Sequence, residues 1–197
     1  MSELLKRKLS VLKKNPKLLI ISGLFYLSGI IVGVICFYSK KGDGVFFKQV
    51  YNYYNRIFDP KISPLSTLFL RFIVNIGYIG VIFALSFTVF TYPIILLLIA
   101  YRGAIIGCIA GIFIKAYGFS GGALFFFVTL PQNVLVTLGL IVSAVLNFDY
   151  VINKCCKKTD VSVLLTNCII GLGISFLGAI YELTVSVIII RPMNFYF

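Results

Sequence analysis

Tyr92-Pro93-Ile94-Ile95-Leu96-Leu97-Leu98-Ile99-Ala100-Tyr101-Arg102-Gly103-Ala104-Ile105-Ile106-Gly107-Cys108-Ile109-Ala110-Gly111-Ile112-Phe113-Ile114 is the stretch that decides the fold. A run of roughly 20 apolar residues is what a helix needs to cross a hydrocarbon layer about 30 Å thick, and a soluble core does not call for one so uniform. Proline fits the first turn of a helix better than its interior, so Thr91-Tyr92-Pro93 reads as a reversal and the start of a new span.

Outward from this stretch the same pattern recurs. Residues 72–114 hold the second and third spans, joined by a tight hairpin at Pro93. Upstream, a basic leader (1–17) with Lys6-Arg7-Lys8, Lys13-Lys14 and Lys17 precedes a first span at 18–38. That run is longer than the apolar core of a signal peptide and lacks an Ala-x-Ala-like cleavage site, so it reads as a retained helix with its N-terminus in the cytoplasm. Downstream come a short loop (115–122), a fourth span (123–148), a basic loop (149–160) with Lys154, Lys157 and Lys158, and a fifth span (161–190).

The expected fold is therefore all-α: one integral membrane domain over 1–197, a polytopic bundle of about five transmembrane helices with residues 65–190 carrying all spans after the first. Residues 39–64 are the one long polar segment, where Lys40, Lys41, Lys48, Arg56 and Lys61 alternate with Phe46, Phe47, Tyr51, Tyr54, Ile57 and Phe58. Such spacing predicts an amphipathic helix in the plane of the outer interface.

Composition points the same way. With 60% hydrophobic and 12% charged residues, the chain cannot cover itself with a polar surface. Its net charge of +12 lies mostly outside the apolar runs, where lysine and arginine anchor helices against anionic lipid and set orientation. The lipid bilayer is thus the expected partner, and no soluble module remains to bind nucleic acid.

The residue inventory excludes much chemistry. Without any histidine, Ser-His-Asp and Cys-His nucleophiles and His-based zinc sites are ruled out. Of the six acids (Glu3, Asp43, Asp59, Asp149, Asp160 and Glu182), only Glu182 falls in an apolar run, so no carboxylate dyad is available. There is no phosphate-binding glycine loop with its lysine and no metal-spaced cysteine set, and neither catalytic residues, cofactor nor metal is expected. Cys36, Cys108 and Cys168 read as small hydrophobes within spans, and Cys155-Cys156 as a reduced pair in a cytoplasmic loop.

Arg102 and Glu182 are the costly residues. A charge at mid-span costs a few kcal/mol or more, so each should find a partner in the bundle, each other included, or reach an interface. Asn75, Gln132 and Asn133 are suited to hydrogen bonds between helices. Gly103, Gly107 and Gly111 recur at every fourth position, as do Gly29 and Gly33, and so offer two grooves for close helix approach, either within the bundle or toward another protein.

The segment Tyr101-Arg102-Gly103-Ala104-Ile105-Ile106-Gly107, followed by Tyr117-Gly118-Phe119 with Gly121 and by Leu130-Pro131-Gln132-Asn133, resembles the central signature of the stage II sporulation protein M family. The likeness extends over about 96–140, and the basic leader, early span, outer segment and four further spans fit the family as well. One departure lies near the C-terminus, where Glu182 is separated from Pro192 by a longer apolar stretch than the family's Glu-to-Pro spacing. The resemblance implies a non-enzymatic scaffold in the cell membrane, placed at the septal and engulfing membrane during endospore formation. Its implied partners are two peptidoglycan-degrading enzymes, stage II sporulation proteins D and P. The structural and interaction residues it singles out are Arg102, Gly103, Gly107, Gly118, Gly121, Pro131, Gln132 and Asn133, to which the glycine spacing adds Gly111 and the charge argument Glu182. The competing expectation is a small transporter with a polar path around Arg102, Gln132 and Glu182, since helices broken at membrane depth do build substrate sites.

Overall fold

The computed structural model describes residues 8, 10–39, 64–153 and 160–185, which are helical almost throughout, with no strand among them. The outer amphipathic segment, the first part of the leader, the lysines of the basic loop with Cys155-Cys156, and the tail with Pro192 lie outside the described residues. Five helices follow in order: α1 (Pro16–Ser39), α2 (Pro64–Leu85), α3 (Tyr92–Leu124), α4 (Leu130–Asn153) and α5 (Val161–Val185). Each contains a stretch long and apolar enough to cross a membrane, and the protein is a multi-pass helical membrane protein.

Local chemistry sets the helix boundaries. Pro16 and Pro64 each stand at the first position of their helix, where the missing N–H has no intrahelical partner to lose. Between α2 and α3 the chain turns back through Ser86, whose N–H bonds the Phe83 carbonyl at 3.1 Å, and through a single 3₁₀ turn at Val89–Thr91. The Thr91 hydroxyl donates to the carbonyl of Leu85, and Pro93 lies in the first turn of α3, as its position in the sequence predicts.

Three boundaries differ from the sequence reading. α2 begins at Pro64 rather than near Phe72, since the proline that looks like a breaker from upstream is a starter from downstream. The expected loop at 115–122 is helical apart from one residue: Gly118, with φ 59° and ψ −133°, reverses the chain alone in a conformation that a side chain would not tolerate. α4 covers Leu130–Asn153 rather than 123–148, with a π turn at Phe125–Thr129 ahead of it. Its last turn takes in Asp149, whose carboxylate accepts from Asn15 Nδ2 at 2.5 Å and whose carbonyl accepts from Asn153 Nδ2 at 2.8 Å.

α3 and α4 form the centre, antiparallel to each other, as the paired rings Tyr92–Phe148 at one end and Phe113–Phe125 at the other require. Ile95, Ile99, Ile106 and Ile109 of α3 meet Leu140, Ile141, Ala144 and Val145 of α4 and Ile79 and Ile82 of α2 in one apolar core. α1 packs on α3, and α5 packs on α4 and α2. These outer helices turn Ile20, Leu24, Ile31 and Ile35 of α1, Phe69 and Ile73 of α2, and Leu165, Ile169 and Leu177 of α5 outward. In water such faces would drive aggregation, whereas lipid tails solvate them, so helix association rests on close packing and hydrogen bonds.

Candidate functional site

Two interfaces of small residues hold the bundle together. α1 and α3 run parallel, with Gly29 set against the carbonyl of Ala100 and Gly33 against that of Ala104, while Gly103 meets the Tyr26 carbonyl and Gly107 that of Ile30. A Cβ at any of these four positions would collide with backbone rather than with a yielding side-chain tip. Gly111 instead lies under the ring of Phe37. The two glycine grooves singled out in the sequence thus close on each other inside one chain.

Sequence reasoning missed the second interface. On α4, Gly139, Ser143 and Asn147 recur at every fourth position, and Asn167, Gly171 and Ser175 do so on α5. Gly139 meets the Gly171 carbonyl, Gly171 meets Ser143 Oγ, and Ser175 Oγ donates to the Val136 carbonyl at 3.3 Å. The mixed glycine, serine and asparagine stripe has the spacing of the glycine one. Its signal was the period of four and not the residue type.

From that stripe a polar chain continues toward the leader. Lys8 Nζ donates to Asn167 Oδ1 at 2.5 Å, Asn167 Nδ2 to Asn147 Oδ1 at 3.0 Å, and Asn147 Nδ2 to Ser86 Oγ at 3.1 Å. Ser86 then returns its proton to the Ile82 carbonyl at 2.5 Å. Leader, α5, α4 and α2 are joined by one line of side chains, and Asn147, Asn167 and Ser86 are all buried.

Arg102 is buried, at 8% exposure, ten positions into α3 from Tyr92. At 1.5 Å of rise per residue that is about 15 Å, near the middle of a ~30 Å hydrocarbon layer, so the side chain is held at depth. α2 supplies its surroundings. Asn75 Oδ1 accepts from Arg102 Nη2 at 3.2 Å, and the guanidinium lies 4.8 Å from the centre of the Tyr78 ring. Asn75 and Tyr78 are three residues apart on one helix face, so a hydrogen-bond acceptor and a π face are offered together to a single cation. Glu182 lies in the last turn of α5; its side chain, and with it the anticipated contact to Arg102, is outside the described residues.

Pro131 sits at the second position of α4, directly after a wide π turn at Phe125–Thr129. In a continuous α-helix the N–H of residue 131 would bond the Phe127 carbonyl, and proline has none to give. Tyr181 of α5 donates its hydroxyl to that carbonyl at 3.1 Å, and Asn133 Nδ2 donates to the Thr129 carbonyl at 2.8 Å. Gln132 and Asn133 are buried, and the Gln132 backbone carbonyl lies against Gly178 of α5. Gly121, also buried, and Gly122 give their carbonyls to the N–H of Phe125 where the π turn begins.

The marked residues do not converge on one spot. Arg102 belongs to the α2–α3 contact, Gly103, Gly107 and Gly111 to α1–α3, and Pro131, Gln132 and Asn133 to α4 and its contact with α5. Among the described residues, no group of three His, Cys, Asp or Glu side chains is placed to hold a metal ion.

No curated protein and no solved structure matches the chain. The family model for stage II sporulation protein M matches residues 22–186, which takes in α2 to α5 and all but the first six residues of α1. With that match over most of its length, the chain belongs to the stage II sporulation protein M family and is a sporulation membrane protein.

Proposed function

We propose that the protein is a non-enzymatic membrane scaffold that recruits and localises peptidoglycan-degrading enzymes, of the kind of stage II sporulation proteins D and P, at the septal and engulfing membrane. The observation that carries this reading is the use of Arg102. It is the buried charge among the described side chains, and it is engaged by Asn75 and Tyr78 of a neighbouring helix. A transporter or hydrolase needs polar groups that converge on one free space, and the marked residues here are spread over separate helix contacts. The absence of histidine from the sequence and the wide spacing of its acids weigh in the same direction.

Co-purification from sporulating cells tests the proposal. Tagged protein should retain both hydrolases in mild detergent, and its deletion should disperse fluorescently tagged hydrolase around the cell membrane. Solute flux through liposomes holding the purified protein alone, with hydrolase localisation unaffected by its deletion, would favour the transporter instead.

A further inference from the structure

Cys36 and Cys108 are free thiols, the first exposed in the last turn of α1 and the second buried on α3. The glycine contacts bring them to about the same depth. Gly29 lies on Ala100 and Gly33 on Ala104, an offset of 71 residues (100 − 29 and 104 − 33), while Gly103 lies on Tyr26 and Gly107 on Ile30, an offset of 77 (103 − 26 and 107 − 30); midway between the two, at about 74, Cys36 is level with Ala110, within a turn of Cys108. Cys108 Sγ reaches across the interface to the Gly33 carbonyl at 3.4 Å. A side chain three residues beyond a helical carbonyl can turn back onto it, as Ser28 of α1 does toward the Phe25 carbonyl at 2.9 Å. Cys36 stands in that same relation to Gly33, so one carbonyl oxygen is within reach of both sulfurs.

Backbone spacing decides whether two such thiols can join. A disulfide needs Cα atoms within about 7 Å, and ordinary helix pairs with axes about 8–10 Å apart seldom offer that. Glycine carries α1 and α3 into backbone contact immediately before the two cysteines. Exposure supplies the entry point, because the 24 residues of α1 extend about 36 Å and bring the last turn to headgroup level.

We propose that Cys36 and Cys108 form a modification site, at which thiol–disulfide exchange with a protein disulfide staples α1 to α3. The Cys36 thiolate attacks one sulfur of the donor, breaking its S–S bond and forming a mixed disulfide while the donor's other sulfur leaves as a thiolate. Cys108, losing its proton, then attacks the Cys36 sulfur and expels the second donor sulfur. The protein's two thiols become one disulfide, the donor disulfide becomes a dithiol, and the two protons pass to the donor. Cys36 acts first because it is the exposed one.

The test uses full-length protein in membranes with Cys155, Cys156 and Cys168 replaced by serine, oxidised with diamide and then tagged with a maleimide-polyethylene glycol. Both remaining thiols should disappear together in a monomer and return on reduction, whereas Cys36→Ser or Cys108→Ser should leave the other thiol fully taggable after the same treatment. Should serine at the other positions impair folding, non-reduced peptide mapping of the oxidised native chain should yield a Cys36–Cys108 linked pair. Persistence of both thiols, or linkage only between chains through Cys36, overturns the proposal.

Discussion

Tyr181 on α5 donates its hydroxyl to the carbonyl of Phe127, 3.1 Å away, and so supplies from a second helix the hydrogen bond that Pro131 cannot make. A backbone acceptor facing lipid has no water to turn to, and therefore the proline and the tyrosine form a linked pair. Tyr181→Phe should destabilise the detergent-solubilised protein by about 1 kcal/mol. In a Pro131→Ala background, where the backbone can make the bond itself, the same change should cost clearly less. A double-mutant cycle on thermal unfolding measures the coupling, and strict additivity would show that the hydroxyl serves some other purpose.

Glycines on these helices fall into two classes that sequence does not distinguish. Gly107 has the Ile30 carbonyl where its Cβ would be, and Gly80 has open space. Gly80→Ala should leave stability unchanged or raise it by up to about 1 kcal/mol through helix propensity. Gly107→Ala should lower it by about 1–3 kcal/mol through overpacking, and Gly107→Leu should reduce protein abundance in the membrane. Equal melting temperatures for the two alanine variants would remove the packing argument.

Removing Asn75 should hurt more than removing the charge it serves. Asn75→Leu takes a hydrogen-bond acceptor from a buried guanidinium, at a cost of about 1–3 kcal/mol, whereas Arg102→Met removes the charge and fills the space. The double variant should be at least as stable as Asn75→Leu alone. If Arg102→Met keeps its fold but loses the co-purifying hydrolases, the charge has a role in recruitment beyond packing.

The line from Lys8 through Asn167 and Asn147 to Ser86 ties the leader to the bundle. Asn147→Leu breaks it in the middle and should destabilise by about 1–2 kcal/mol. Limited proteolysis of the leader should also quicken, a readout that a purely local packing defect would leave unchanged.

The apolar runs announced the helices because a bilayer forces length and composition together, and Pro93 and the glycine period were equally plain. What stayed hidden followed from single residues. Nothing in Lys115 to Gly122 says that Gly118 alone turns the chain, because a polar, glycine-rich stretch is equally compatible with a loop. Asn147 and Asn167 were overlooked for a related reason, since a lone amide in an apolar run gains meaning only when the facing helix is known. Arg102 was legible as a problem, and the answer on α2 was not: Asn75 is 27 positions away in the chain.

The parallel pairing of α1 with α3 also has a bearing on how the protein is made. α4 and α5 are consecutive and can zip together as soon as the second of them leaves the insertion machinery, but Gly33 must wait for Ala104, 71 residues further along the chain (104 − 33), before its face is covered. Until then α1 sits in the membrane with its closest partner still unsynthesised. A ribosome stalled between the second and third helices therefore leaves behind an anchored but unzipped fragment whose glycine groove is bare.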